Sequence, residues 1–329
     1  MLSHVSMSAV QVARENTDLA NELSAEKQAL DAAVQSVRVS ITSAASSLAY
    51  HVISMIASHQ VFGSGVKVNF DLCDTNTSAL STVALETIDL ASGSVHEPPA
   101  VTSDPTQFFT CADVILLLDD VVMGEGEARS DWLSRVYSKF SCYAQQIDAV
   151  CRREVVVIVP AVNSAANLIG NIISRCAPNI PAQNIIVTSR LVENRAKAAI
   201  VRQSGVNCGS IVDLIVWGDS SAASTSRFVV DVSHAKVYDC ESSAVWGPEY
   251  LRTVDDVVHD KQWLCSRLPD TVSSSSSSSS SSVVSAASAL TSFLSDWWLA
   301  NCNSQRIHSL SIKSQGKSVN ICICPVSIA

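Results

Sequence analysis

Two runs of five residues, Val-Ile-Leu-Leu-Leu at 114–118 and Val-Val-Val-Ile-Val at 155–159, contain no polar side chain. A strand that faces water on one side must alternate. A short run without alternation suits a strand covered on both faces, as in a parallel sheet with helices above and below. Other segments agree. Residues 37–42 (Val-Arg-Val-Ser-Ile-Thr) alternate and predict a strand, 47–56 a helix, and 66–71 a second strand ended by Asp71. Residues 189–205 read as helical, 211–217 as a strand and 283–299 as a helix ending in Trp297-Trp298. Strand and helix in alternation predict an α/β fold with a doubly wound parallel sheet.

The 329 residues exceed what one small core needs, so either one large α/β unit or two fused domains is expected. Hydrophobic residues make up 47% and charged residues 16%, which excludes a disordered chain. The net charge is −9 and no basic patch is visible, which argues against a nucleic-acid binder. The eleven cysteines form no C-x-x-C. Cys322 and Cys324 share a strand face but have no second Cys/His pair nearby, so buried thiols are expected and no metal. The N-terminus lacks a basic and then apolar leader, and no apolar run reaches about 18 residues. A reduced, cytoplasmic compartment without membrane association follows as the expectation.

Val12, Leu19, Leu23, Leu30, Val34 and Val37 recur at helical spacing and predict an amphipathic N-terminal helix. It either docks a partner or packs on its own domain. The ten serines at 273–282 read as a solvated loop. Two or three strands should follow the helix at 283–299, the last at 319–326. Gly316-Lys317-Ser318 looks like the end of a phosphate loop, but the glycine such a loop needs five residues earlier is Ser311, so it is set aside.

Several motifs come in a telling order. They are Val-Ser-Ile-Thr-Ser-Ala-Ala-Ser at 39–46, Phe70-Asp71, Asn-Arg-Ala-Lys at 194–197, Val-Trp-Gly at 216–218 and Asp-Val-Ser-His-Ala-Lys-Val at 231–237. From about residue 38 onward the chain resembles the NAD-dependent malate dehydrogenase family, and Ser-Ala-Val-Trp-Gly-Pro at 243–248 resembles its divergent 1B-type members. The resemblance implies a Rossmann domain at 38–188 and an α+β catalytic-type domain at 189–329, behind an N-terminal helix at 1–37. It also implies NAD as cofactor, malate or oxaloacetate as substrate, and a homodimer. The family runs on past the last strand into a long helix. The expectation is therefore that this chain is truncated or leaves an apolar flank exposed.

The resemblance assigns roles to particular positions. The first βα turn of the family cradles the diphosphate with glycines, which let the backbone approach. Here the turn carries Ser43 and Ser46, which implies weakened dinucleotide binding. Asp71 is placed as the acid for the adenosine ribose. Asp119 stands where the family has glycine, and Glu125 and Glu127 make the loop after it acidic. Of the two arginines that clamp the substrate carboxylates, one falls on Met123 and the other on Arg129. Arg195 matches the arginine for the α-carboxylate. The catalytic histidine and its aspartate fall on Ser220 and Val192. Neither can act as that base near neutral pH, so the sequence predicts a catalytically impaired member. Two rivals stay open. One is an active enzyme with Glu193, His234 or another group as substitute base. The other is a non-enzymatic scaffold acting through the N-terminal helix.

Overall fold

The computed structural model describes residues 36–59, 61–105, 108–160, 162, 165–218, 228–238, 251–274, 283–299 and 309–311. Residues 1–35 of the expected N-terminal helix, most of the serine run, Ser220 and the strand expected at 319–326 lie outside them, while Ser36 and Val37 begin a strand instead of ending that helix. Six strands run parallel: β1 (Ser36–Thr42), β2 (Lys67–Cys73), β3 (Ala100–Thr102), β4 (Val114–Leu116), β5 (Val156–Pro160) and β6 (Ile185–Thr188). Their spatial order is β3-β2-β1-β4-β5-β6, so the winding reverses between β1 and β4. Helices α1 (Ser47–Ala57), α2 (Thr77–Asp89), α3 (Arg129–Val150), α4 (Ala166–Cys176) and α5 (Arg190–Ser204) accompany them.

The unbroken apolar runs are explained by burial on both faces. Val114 and Leu116 join Val39, Ile41 and the apolar side of α1 in one core. Ile115 and Leu117 join Val157, Val159 and the apolar sides of α3 and α4 in another. Close packing on the second face has a measurable consequence. A Cβ built on Gly170 of α4 would stand 2.6 Å from Val187 Cγ2 on β6. Valine has one stiff rotamer and cannot swing clear. Overpacking costs about 1–3 kcal/mol while alanine in a helix returns about 1 kcal/mol. Gly170→Ala should therefore lower stability in urea by roughly 1–2 kcal/mol, and Val187→Ala in the same chain should recover part of that loss.

A smaller body follows. It contains β7 (Ile211–Val212), β8 (Ile215–Gly218), β9 (Phe228–Asp231), β10 (Lys236–Val237), β11 (Arg252–Thr253), α6 (Val254–Val258) and α7 (Leu268–Ser274). β8 and β9 pair antiparallel, and β10 pairs antiparallel with β7 and β11. The single strand expected at 211–217 is two, because Asp213 turns the backbone to φ 55°. The α7 helix runs to Ser274, so the first two serines of the run lie in a helix.

Then α8 (Val283–Leu299) returns to the large sheet. Its Ala287, Leu290, Phe293 and Leu294 enter the core beneath β1, and Trp298 meets Phe62 edge-on at 5.0 Å. The strand β12 (Leu310–Ser311) adds antiparallel to β6. The described part of 283–311, assigned by sequence to the second domain, thus packs with the first. Its Ala286 and Ala289 pack in addition with Leu191 of α5, and its Asp296 pairs with Arg190 on the same helix.

Candidate functional site

The strand order reverses between β1 and β4, and a sheet of this kind takes its ligand in the crevice beyond the strand ends at that point. Thr42 ends β1 and ties the two strands together. Its Oγ1 donates to Leu116 O (3.4 Å) and accepts from Leu118 N–H (3.1 Å). The turn that follows runs from Ser43 to Ser46. Ser43 has φ 52°, the left-handed region a glycine would occupy without strain. Ser46 caps α1, its hydroxyl accepting from Ala49 N–H at 3.2 Å. Ala44 N–H donates to Cys73 O (3.1 Å), Ala45 N–H to Asp74 Oδ2 (3.0 Å) and Ser46 N–H to Ser43 O (3.0 Å). These three donors are therefore satisfied, two by the end of β2 and one within the turn. An αL position costs a non-glycine residue about 1–2 kcal/mol, partly offset by glycine's freer unfolded chain. Ser43→Gly should raise stability in a urea titration by about 0.5–1 kcal/mol.

Asp71 does not end its strand. β2 continues to Cys73, and Asp71 lies buried opposite Ser40. Arg38 Nη1 donates to its Oδ1 (2.9 Å) and Ser40 Oγ to its Oδ2 (3.3 Å). Burial raises its pKa against the lowering effect of Arg38. The acid level with the turn is Asp74, the first residue past the strand, which sequence reading passed over. The signal was strand register: Cys73 is paired with Thr42, so only the next residue faces the turn.

Asp119 follows β4 at the mouth of the crevice and is only 6% exposed. Lys139 Nζ pairs with its Oδ1 at 2.5 Å, and Tyr143 Oη lies 3.5 Å from the same oxygen. Oδ2 is buried and has no hydrogen-bond partner among the described residues. Nearby, burial pushes the Cys73 thiol up to about 11, with Asp119 adding to the shift, and burial raises Tyr143 as well. The serine turn and this buried acid do not fit the diphosphate of a dinucleotide, and both oxygens of Asp74 are held by backbone donors, Oδ2 by Ala45 N–H and Oδ1 by Asn76 N–H at 2.9 Å.

The loop after Asp119 is pinned to α3. Glu127 accepts from Arg135 Nε (2.7 Å) and Nη2 (2.6 Å) and from Gly124 N–H (2.7 Å). So Glu127 is neutralised by a cation the sequence did not pair with it. Arg129 is the exposed first residue of α3, and Met123 is exposed in the loop. Arg195 is half-buried on α5, and desolvation lowers its pKa.

Val192 is 3% exposed and packs with Ala196, Val216, Val230 and Ala235. Of the two substitute bases considered from sequence, Glu193 is engaged by a cation and His234 is exposed. Glu193 Oε1 accepts from Lys197 Nζ at 2.7 Å and lies 3.8 Å from Arg190 Nη1. His234 is exposed in the turn between β9 and β10, while its neighbour Ala235 faces the core that holds Val192. Among the described residues no group of acids, cysteines and histidines could hold a metal, and no helix is long and apolar enough to cross a membrane.

The fold matches the lactate and malate dehydrogenases. A malate dehydrogenase of Naegleria fowleri superposes with a TM-score of 0.72 at 24% identity, over 85% of this chain and 82% of that one. A Trichomonas vaginalis lactate dehydrogenase solved with NADH and oxamate superposes at 0.72 with 22% identity, over 86% and 82%. In sequence, the cytoplasmic malate dehydrogenase of Felis catus is 31% identical over 240 residues, 72% of this chain and 67% of that protein. The chain belongs to the malate dehydrogenase family. A Branchiostoma floridae protein named for malate dehydrogenase 1B is 28% identical over 315 residues, 93% of this chain and 58% of its own length. The chain spans about half the length of the 1B-type relatives it matches. No family model matches it.

Proposed function

We propose that this chain is a malate dehydrogenase-family protein whose turnover of malate and oxaloacetate is impaired. The observation that carries the reading is Val192, an apolar side chain in an apolar core at the position where the family resemblance places the aspartate of the proton-transfer pair. An acceptor there would fix the tautomer of a histidine and stabilise its cation. Valine does neither, and Ser220 holds the histidine's place. The pairing of Glu193 with Lys197 and the outward position of His234 speak against a substitute base. Arg129 and Arg195 remain as groups for a dicarboxylate, with weakened NAD binding at the serine turn. Family likeness further suggests a cytoplasmic homodimer.

The test is oxaloacetate-dependent NADH oxidation by the purified protein beside a cytoplasmic malate dehydrogenase. Loss of general acid–base help predicts a rate lower by on the order of 10²–10⁴. Equal rates would overturn the proposal and send the search back to the cleft for a base.

A further inference from the structure

We infer that the switch-point crevice of this chain is closed from within by buried Asp119 and the ion pair it makes with half-exposed Lys139, which must open before a dinucleotide can enter. The inference rests on the family reading but not on the loss of turnover.

Three observations carry it. The first is position. Thr42 clasps the backbone at Leu116 and Leu118, so the next side chain, Asp119, stands where the ends of β1 and β4 part. The second is burial with charge. Asp119 is almost wholly removed from water, Lys139 reaches it from α3, and Tyr143 one turn further along lies against both, with Lys139 Nζ 5.9 Å from its ring centre. Cys73, at the end of β2, is buried in the same core as the helix that carries them. A carboxylate, an ammonium and a phenol thus form one contact group beside the end of β4. The third is the unspent acceptor: Asp119 Oδ2 is buried without a hydrogen bond among the described residues. A diphosphate approaching this point meets the unbonded oxygen of a carboxylate at close range and gains no attraction from a free cation. The cation that could have drawn it in is already held by Asp119. The resemblance puts a glycine here, with neither bulk nor charge.

The experiment follows NADH binding by fluorescence in the wild-type chain and in Asp119→Gly and Asp119→Asn. Glycine removes bulk and charge and frees Lys139 to face phosphate. Asparagine keeps the shape and removes only the charge, so it remains informative if the glycine variant folds poorly. Asp119→Gly should bind NADH roughly tenfold or more tightly than wild type, and Asp119→Asn should gain a smaller factor. Affinities unchanged in both variants, or wild-type binding as tight as that of Asp119→Gly, would overturn the inference. Adding oxaloacetate to the same samples separates the two proposals. If the tighter-binding variant consumes NADH at the rate of the cytoplasmic enzyme, impaired proton transfer is wrong while the closure stands. If substitution leaves binding unchanged, the closure is wrong whatever the turnover.

Discussion

Val192→Asp, which reinstates the family's aspartate, is expected to cost roughly 3–5 kcal/mol of folding stability and to restore no turnover. The side chain is 3% exposed among Ala196, Val216, Val230 and Ala235, none of which can donate a side-chain hydrogen bond. A carboxylate there loses its hydration and gains no partner, and such a group is tolerated only by neutralising or by disrupting its surroundings. Val192→Asn separates the two contributions. It carries a similar polar load without a full charge and should lose less. Urea unfolding gives the stability, and NADH oxidation gives the activity. A loss below about 1 kcal/mol would mean that the site still offers the new group a partner or water. A gain in turnover would mean that the proton-transfer site survives with one residue missing. Either result would undercut the reading of Val192 as a core residue.

The layered fold was legible because burial writes itself into short windows. Runs without polar residues at 114–118 and 155–159 could only be strands covered on both faces, and α1 and α5 lie within a residue or two of the expected helices. What the sequence hid depends on distant residues. Asp71 read as a strand end because a polar residue often is one. Its partner Arg38 lies on the neighbouring strand, 33 residues away. The break at Asp213 carries no glycine to announce its positive φ. Arg190 and Asp296 pair across 106 residues at 2.6 Å, which no local pattern encodes. Asp119 was visible as an acid in a glycine's place, but not as the buried half of an ion pair. Its cation sits a full loop and three helical turns further along. The site was thus readable as a set of substitutions against a family pattern. How those substitutions are accommodated required the packing.

Lys197→Met should be about as damaging as the buried aspartate, at roughly 3–5 kcal/mol, because it strips the close partner from a buried carboxylate. Glu193 is 2% exposed. Its Oε1 holds Lys197 at 2.7 Å, Arg190 stands at 3.8 Å, and Oε2 has no hydrogen bond among the described residues. Arg190 cannot take over without loosening its own 2.6 Å contact with Asp296. Removing both charges is a different matter. Glu193→Leu combined with Lys197→Met leaves an apolar pair on α5 beside an apolar core, and such replacements are often neutral or stabilising. The double variant should therefore recover most of what the single variant loses, a coupling that urea titrations of the four proteins would measure. A further variant, Glu193→Gln, decides what Glu193 is for. A substitute base would make Glu193→Gln lose turnover with stability nearly intact. A structural anion makes that substitution cost stability, because it leaves Lys197 unpaired, and leaves whatever residual turnover there is unchanged. The ion pair on one side and the valine core on the other favour the second outcome.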